Sequence, residues 1–123
     1  MVAALTEKRL LIGGEWIDTD EWIDIRSPYS GDVVGRVGKA GARETCQALD
    51  AAEKAMRDPL PAHKRAEILV KVAAALGRRQ DEVARIICDE AGKPMKAARV
   101  EAQRAMSTYT FAAVEARKLA GEI

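Results

Sequence analysis

The clearest candidate for chemistry in this sequence is the glycine–lysine pair Gly92–Lys93, near the end of the stretch RIICDEAGKP. A phosphate-binding P-loop has the pattern Gly-x-x-x-x-Gly-Lys-Ser/Thr between a strand and a helix, so that successive backbone N–H groups surround the phosphates. Here Ile87 stands five residues before Gly92, and Pro94 stands where the hydroxyl residue should bind magnesium. We therefore predict that Gly92 is the left-handed C-terminal cap of one helix and that Pro94 starts the next.

Two cysteines and one histidine are the other side chains that could act as a nucleophile or a base. Cys46 and Cys88 have no metal-type or redox-type spacing. Both lie in apolar helical stripes, which predicts small buried side chains rather than activated thiols. His63 stands among charged residues at a helix start, which predicts a solvated or capping role. The residues by themselves therefore indicate no self-contained active site.

Composition excludes several classes of function. The 123 residues fit one domain, and 20 Lys and Arg are balanced by 19 Asp and Glu, so no charge pattern for nucleic acid or an anionic membrane is present. No apolar run approaches the length of a membrane span or a signal peptide. We expect a reduced, cytoplasmic protein that binds neither nucleic acid nor a membrane.

The elements that must position these residues fall into two parts after an N-terminal tail, residues 1–9. Residues 10–38 predict a β-ribbon, because LLIGGEWI places Gly13–Gly14 between two β-favouring runs, the pattern of a tight hairpin. The segments WIDIRSP and YSGDVVGRV repeat this arrangement. Ribbons of this size are marginal alone, so we expect them to lie on further structure.

Helical periodicity extends over residues 41–123 and predicts three to four mostly antiparallel helices. Pro59 and Pro61 separate the first helix from the second. Apolar stripes are predicted on the first helix at Ala42, Cys46, Leu49 and Met56, and on the second, where they should be buried, at Ala66, Leu69, Val70, Ala73 and Leu76.

The last helical segment, residues 94–120, carries a broad band of small and apolar residues. A band this broad predicts more than one packing partner.

Glu101 and Arg104 are three residues apart, so they are expected to form an exposed ion pair that contributes about 0.3–0.5 kcal/mol.

The order of these motifs resembles one enzyme family. IGGEW, SPYSGDVVGRV, ALDAAEKAM, KRAEILVKVAAALGRRQDEVARIICDEAGKP and EAQRAMSTYTFAAVEARKLAGEI follow one another as in the N-terminus of NAD(P)-dependent aldehyde dehydrogenases. The resemblance covers the chain from about residue 10 to its end. FAAVEARKLAGEI is most similar to the branch that acts on lactaldehyde or, without phosphorylation, on glyceraldehyde 3-phosphate. The fold that this implies is α/β, the N-terminal part of a cofactor-binding domain without its central parallel sheet.

The resemblance also implies a reaction. The complete enzyme would oxidise an aldehyde to a carboxylic acid through a cysteine thiohemiacetal, with NAD or NADP as the hydride acceptor. Neither Cys46 nor Cys88 matches the family's nucleophile, and the cofactor contacts lie downstream. We therefore expect no catalytic and no cofactor-binding residue in this chain, no cofactor on the chain alone, and no activity of the isolated segment.

Two groups of residues correspond to sites in the resembling enzymes. Glu101, Arg104 and Ala105 correspond to positions at the mouth of the substrate tunnel, and the small Ala105 implies a wide entrance. Ile25 and Arg26, through their backbone oxygens, and Glu90, through its carboxylate, correspond to ligands of a structural monovalent cation. This chain has Ser27 where the family often has asparagine, and Glu90 where some members have aspartate.

The resemblance also implies which partners the chain has. We expect the partner of this chain to be the remainder of an aldehyde dehydrogenase polypeptide. We also expect the complete enzyme to form a homo-oligomer. The sequence stops at LAGEI without a capping proline or a polar tail, which resembles a cut. The alternative is a stand-alone helical interaction or oligomerisation module derived from such an enzyme. Both interpretations predict exposed apolar helix faces.

Overall fold

The computed structural model describes residues 6–118, which divide into two compact units with the boundary between Pro59 and Leu60. The strands are β1 (Thr6–Lys8), β2 (Leu10–Ile12), β3 (Glu15–Ile17), β4 (Trp22–Arg26) and β5 (Val33–Gly38). The helices are α1 (Ala42–Met56), α2 (Ala62–Arg78), α3 (Gln80–Ala91) and α4 (Met95–Lys118). The predicted order of short strands followed by helices is confirmed. The unit boundary falls at the predicted proline break rather than between the ribbon and the first helix.

Strands β2 and β3 form the predicted hairpin. Leu10 pairs with Ile17 in antiparallel register, and the turn residues Gly13 and Gly14 have φ values of 60° and 92°. Residues with a Cβ atom rarely adopt a positive φ, so the two glycines determine where the chain turns.

A second sheet has the strand order β1-β5-β4. Strand β4 is antiparallel to β5, with an irregular register between Ile25 and Arg26, whereas β1 runs parallel to β5. Residues 6–8 therefore differ from the predicted tail, because they pair with a strand almost thirty residues away. A Cβ atom on Gly35 would lie 3.3 Å from the carbonyl oxygen of Thr6, so the glycine permits this close approach.

Helix α1 completes the first unit, and its predicted apolar stripe is exposed. Leu49 is 65% exposed, Met56 is 72% exposed, and Ala42 and Cys46 are also exposed. The predicted burial of Cys46 is therefore wrong.

The second unit consists of α2, α3 and α4, and α4 packs against both of the others. Its buried residues are alanines: Ala66, Ala84, Ala98, Ala102, Ala113 and Ala116. Small side chains let the helix backbones approach closely, and a Cβ atom on Gly77 would lie 3.1 Å from Met106 Sδ. Ala66 is buried as predicted, but Val70 is 53% exposed, so its predicted burial is wrong.

Within residues 6–118, no helix combines the length and the apolar composition that a membrane span requires.

Candidate functional site

The candidate site lies at the joint between α3 and α4. Gly92 has φ 64° and ψ 22°, and its N–H donates to the carbonyl oxygen of Cys88 at 2.9 Å. The carbonyl oxygen of Pro94 then accepts hydrogen bonds from the N–H groups of Ala97 and Ala98 at 2.9 and 3.0 Å. The predicted left-handed cap is confirmed, and Pro94 is the residue from which α4 starts. This geometry is that of a helix–helix joint rather than a P-loop.

Buried alanines set the rotation of α4 about its axis. Ala98 and Ala102 pack with Ala84 of α3 in one cluster. The half-buried residues around that cluster are Val83, Ile87, Cys88 and Met95. Because a helix turns 100° per residue, this packing directs Arg104 to the side of α4 away from the cluster and Glu101 to the flank of the helix, and both residues are exposed.

The three predicted tunnel-mouth residues therefore separate. Glu101 and Arg104 share the exposed face, whereas Ala105 is half-buried. The expected ion pair between Glu101 and Arg104 does not form, since Glu101 accepts a hydrogen bond from the Lys93 ammonium group instead. Lys93 precedes the helix, and its flexible side chain reaches along the first two turns to the carboxylate.

Glu101 and Arg104 line a surface depression of about 610 Å³ at the start of α4. Its other charged residues are Lys93 and Lys96, and its apolar lining is Pro94, Ala97 and Val100. Lys93 appeared in the sequence only as part of the rejected P-loop pattern, and Lys96 was not among the predicted site residues. Lys96, Val100 and Arg104 are spaced i, i+4, i+8, so helical periodicity was the signal that could have found Lys96.

The predicted cation ligands lie in both units. Ile25 pairs with Gly35 in the first sheet, and the irregular register next to it involves Arg26. The Arg26 guanidinium donates to the carbonyl oxygen of Gly31 and to Asp24, both at 3.2 Å. Glu90 is exposed on α3, in the second unit. Within residues 6–118, no group of three or more His, Cys, Asp or Glu side chains is arranged to hold a metal ion.

The potential nucleophiles and base have ordinary surroundings. Cys88 is half-buried, with its Sγ atom 4.0 Å from Met95 Sδ, whereas Cys46 is exposed on α1. His63 is exposed near the start of α2. Neither thiol is within hydrogen-bond reach of His63 or of a carboxylate in the described part of the chain.

The carboxylate of Glu44 has a capping role. Its Oε2 atom accepts a hydrogen bond from the Gly41 N–H at 2.8 Å, and its Oε1 atom accepts one from the Arg43 Nε at 2.8 Å. These bonds, chiefly the one from Gly41, hold the pKa of Glu44 below its ordinary value. This satisfies a backbone donor at the start of α1, which accounts for the burial of the side chain.

The chain is similar in sequence to a known protein family and to individual enzymes. The aldehyde dehydrogenase family model matches residues 16–123. The chain is 34% identical over 116 residues to a lactaldehyde dehydrogenase from Methanocaldococcus jannaschii, covering 93% of this chain and 25% of the relative. It is 38% identical over 122 residues to an NADP(+) succinate-semialdehyde dehydrogenase from Escherichia coli, covering 96% of this chain and 25% of the relative.

The same result comes from solved structures. An NAD-dependent aldehyde dehydrogenase from Sinorhizobium meliloti matches with a TM-score of 0.89 and 34% identity, over 96% of this chain and 25% of that one. The chain thus spans about a quarter of the length of the proteins it matches.

Proposed function

The chain belongs to the aldehyde dehydrogenase family, and from this we propose that it is the N-terminal part of an NAD(P)-dependent enzyme that oxidises an aldehyde to a carboxylic acid. One observation carries the proposal: nearly the whole chain matches a dehydrogenase structure with a TM-score of 0.89, yet it covers only a quarter of that protein.

In this proposal the reactive groups come from the remainder of the polypeptide. Aldehyde oxidation needs a thiolate nucleophile, donors for the developing oxyanion and a base for the hydrolytic water, and NAD or NADP accepts the hydride. Cys88 packs on Met95 and Cys46 is exposed on α1, and within residues 6–118 neither thiol lies within hydrogen-bond reach of a base that would activate it. We therefore propose that the isolated chain is inactive and holds no cofactor.

The contribution of the chain itself is to border the substrate entrance. We assign this role to the exposed face of α4, with Glu101 and Arg104 at the mouth. Ala105 is half-buried off that face, and we propose that its small side chain keeps the entrance wide where the remainder of the polypeptide packs. The predicted cation ligands, Ile25, Arg26 and Glu90, remain a proposal. Its test is the melting temperature of the complete enzyme in sodium, potassium or tetramethylammonium chloride: a rise with one small cation supports the site, and equal values contradict it.

Exposed apolar side chains support a larger partner. Phe111 is 71% exposed, and Val100 and Val114 are also exposed on α4. We propose that the remainder of the polypeptide covers these side chains, that the complete enzyme is a homo-oligomer, and that it works in the cytoplasm, where thiols such as Cys46 and Cys88 stay reduced.

Two measurements test the proposed function. An antibody raised against this chain should detect, in the native cell, a polypeptide of about four times the 13.4 kDa mass of the chain. That polypeptide should reduce NAD or NADP in the presence of an aldehyde, whereas the purified 123-residue chain should not. A native product of 13.4 kDa that self-associates without turnover would instead favour the stand-alone module.

A further inference from the structure

We propose that Cys88 and Met95 form a binding site for a soft monovalent metal ion, copper(I), at the joint between α3 and α4. The inference goes beyond the proposed function and does not depend on it. It concerns two sulfur atoms that the structure brings together, one near the end of α3 and one at the start of α4.

The two sulfur atoms face each other across the joint. Cys88 Sγ lies 4.0 Å from Met95 Sδ, in an arrangement in which the thiol can donate its hydrogen to the thioether. A cation that replaced this hydrogen would therefore meet lone pairs of both sulfur atoms. The left-handed backbone of Gly92 ends α3 between the two residues, so the pair is formed by the path of the joint and not by one helix face.

The separation of the sulfur atoms suits two metal–sulfur bonds. With bonds of about 2.3 Å, the usual metal–thiolate length for zinc, two sulfur atoms are about 4.0 Å apart at a bond angle of about 120° and about 4.6 Å apart in a line. The observed 4.0 Å corresponds to the bent arrangement, so the helices need not move. The methionine side chain has three rotatable bonds and can supply the small increase that a linear arrangement needs.

The chemistry of the donor atoms selects the metal. A thiolate and a thioether are soft ligands that suit copper(I), whereas magnesium and calcium need oxygen ligands. Within residues 6–118, no cluster of His, Cys, Asp and Glu supplies the further ligands that a structural zinc ion requires. Binding of copper(I) displaces the thiol proton of Cys88 to solvent, and the oxidation state of the copper does not change.

The surroundings of the pair favour a complex without net charge. Cys88 and Met95 are half-buried beside Val83 and Ile87, next to the cluster of buried alanines. An unpaired charge is costly in such surroundings, but a thiolate that holds a monovalent cation is neutral. Because both side chains are only half-buried, copper(I) can reach the sulfur atoms from solvent. Apolar packing of the two side chains without a metal is the competing explanation.

The experiment measures copper(I) binding to the 123-residue chain in the absence of oxygen. Every variant carries Cys46→Ser, so that Cys88 is the only thiol. The chain competes for copper(I) with the coloured chelator bicinchoninate, and the loss of chelate absorbance gives the dissociation constant. Met95→Leu removes the thioether at nearly constant volume, and Met106→Leu on the same helix is the matched control.

The parent variant, with Cys46→Ser alone, should bind one copper(I) ion per chain. Met95→Leu should weaken binding roughly tenfold or more, since even the residues that only support metal ligands are worth about that much. Met106→Leu should leave the affinity within about twofold, because that side chain is not a ligand. Cys88→Ser should abolish binding. Copper(I) should also raise the urea midpoint of the parent variant, because it binds the folded chain more tightly than the unfolded one.

Three results would each overturn the inference. The first is the absence of copper(I) binding. The second is binding that Met95→Leu leaves unchanged, which would mean that the thiol acts alone and that Met95 only packs against it. The third is equal affinity of the folded and the urea-unfolded chain, because the fold would then not form the site. Aldehyde oxidation enters none of these measurements, so the proposed function stands or fails separately.

Discussion

Replacing Gly92 with alanine should destabilise the α3–α4 joint without affecting any nucleotide chemistry. The residue has φ 64° and ψ 22°, which is the left-handed region. Its N–H closes the last turn of α3 on the carbonyl oxygen of Cys88 at 2.9 Å, and its left-handed backbone then ends the helix before Pro94.

The expected cost follows from that geometry. An L-residue with a Cβ atom pays roughly 1–2 kcal/mol in the left-handed region, because Cβ crowds the following carbonyl oxygen. Alanine also lowers the conformational entropy of the unfolded chain relative to glycine, which offsets about 0.4–1 kcal/mol of this cost. We therefore expect a net loss of about 1 kcal/mol in the free energy of unfolding, roughly a fivefold change in the equilibrium constant.

Urea denaturation followed by circular dichroism of the helices measures this loss in the chain. Gly92→Asn is the matched control, because asparagine tolerates the left-handed region better than alanine does. The asparagine variant should therefore unfold between the wild type and Gly92→Ala. Equal stability of all three proteins would refute the cap. Unchanged stability together with loss of phosphate binding would restore the P-loop interpretation.

Three further predictions concern packing, pH and the surface charges. Ala98→Leu should overpack the closed α3–α4 contact and cost about 1–3 kcal/mol, whereas Ala97→Leu on the exposed face should stay within about 0.5 kcal/mol in the same urea assay. The pKa of Glu44 is lower in the folded chain than its ordinary value of 4.5, so its contribution is present above that value and is lost as the pH falls through the folded pKa. A titration of stability should show this acid-side loss in the wild type and a smaller one in Glu44→Gln, and identical curves would contradict the cap. A double-mutant cycle on Lys93 and Glu101 should give a coupling of about 0.2–1 kcal/mol that decreases with salt, because both side chains are nearly half exposed.

Several features could be predicted from the sequence because each depends on the backbone conformation of a few consecutive residues. The Gly13–Gly14 turn and the Gly92 cap both need positive φ, which glycine adopts without steric cost, and both are present. The break at Pro59 and Pro61 is also local, and the two units separate there. The order of motifs predicted the family in the same way, because it needed no knowledge of which elements pack together.

Other features required the tertiary structure because they join residues that are distant in the sequence. Strand β1 pairs with β5 through contacts such as Thr6 with Gly35, and nothing in the residues 6–8 specifies a partner or a register. The periodicity of α1 predicted a stripe at Leu49 and Met56 but could not show that it is exposed.

The candidate site illustrates the same division. The sequence by itself determined that α4 is a helix and that Glu101 and Arg104 are close to each other on its surface. Only the packing of Ala98 and Ala102 against Ala84 set the face on which they lie, and only the path of the joint brought Lys93 to Glu101 and left Arg104 without an acidic partner in the described part of the chain. Local backbone preferences act over a few residues and can be read along the chain, whereas rotation of a helix and choice of an ion-pair partner depend on contacts made after distant segments have packed.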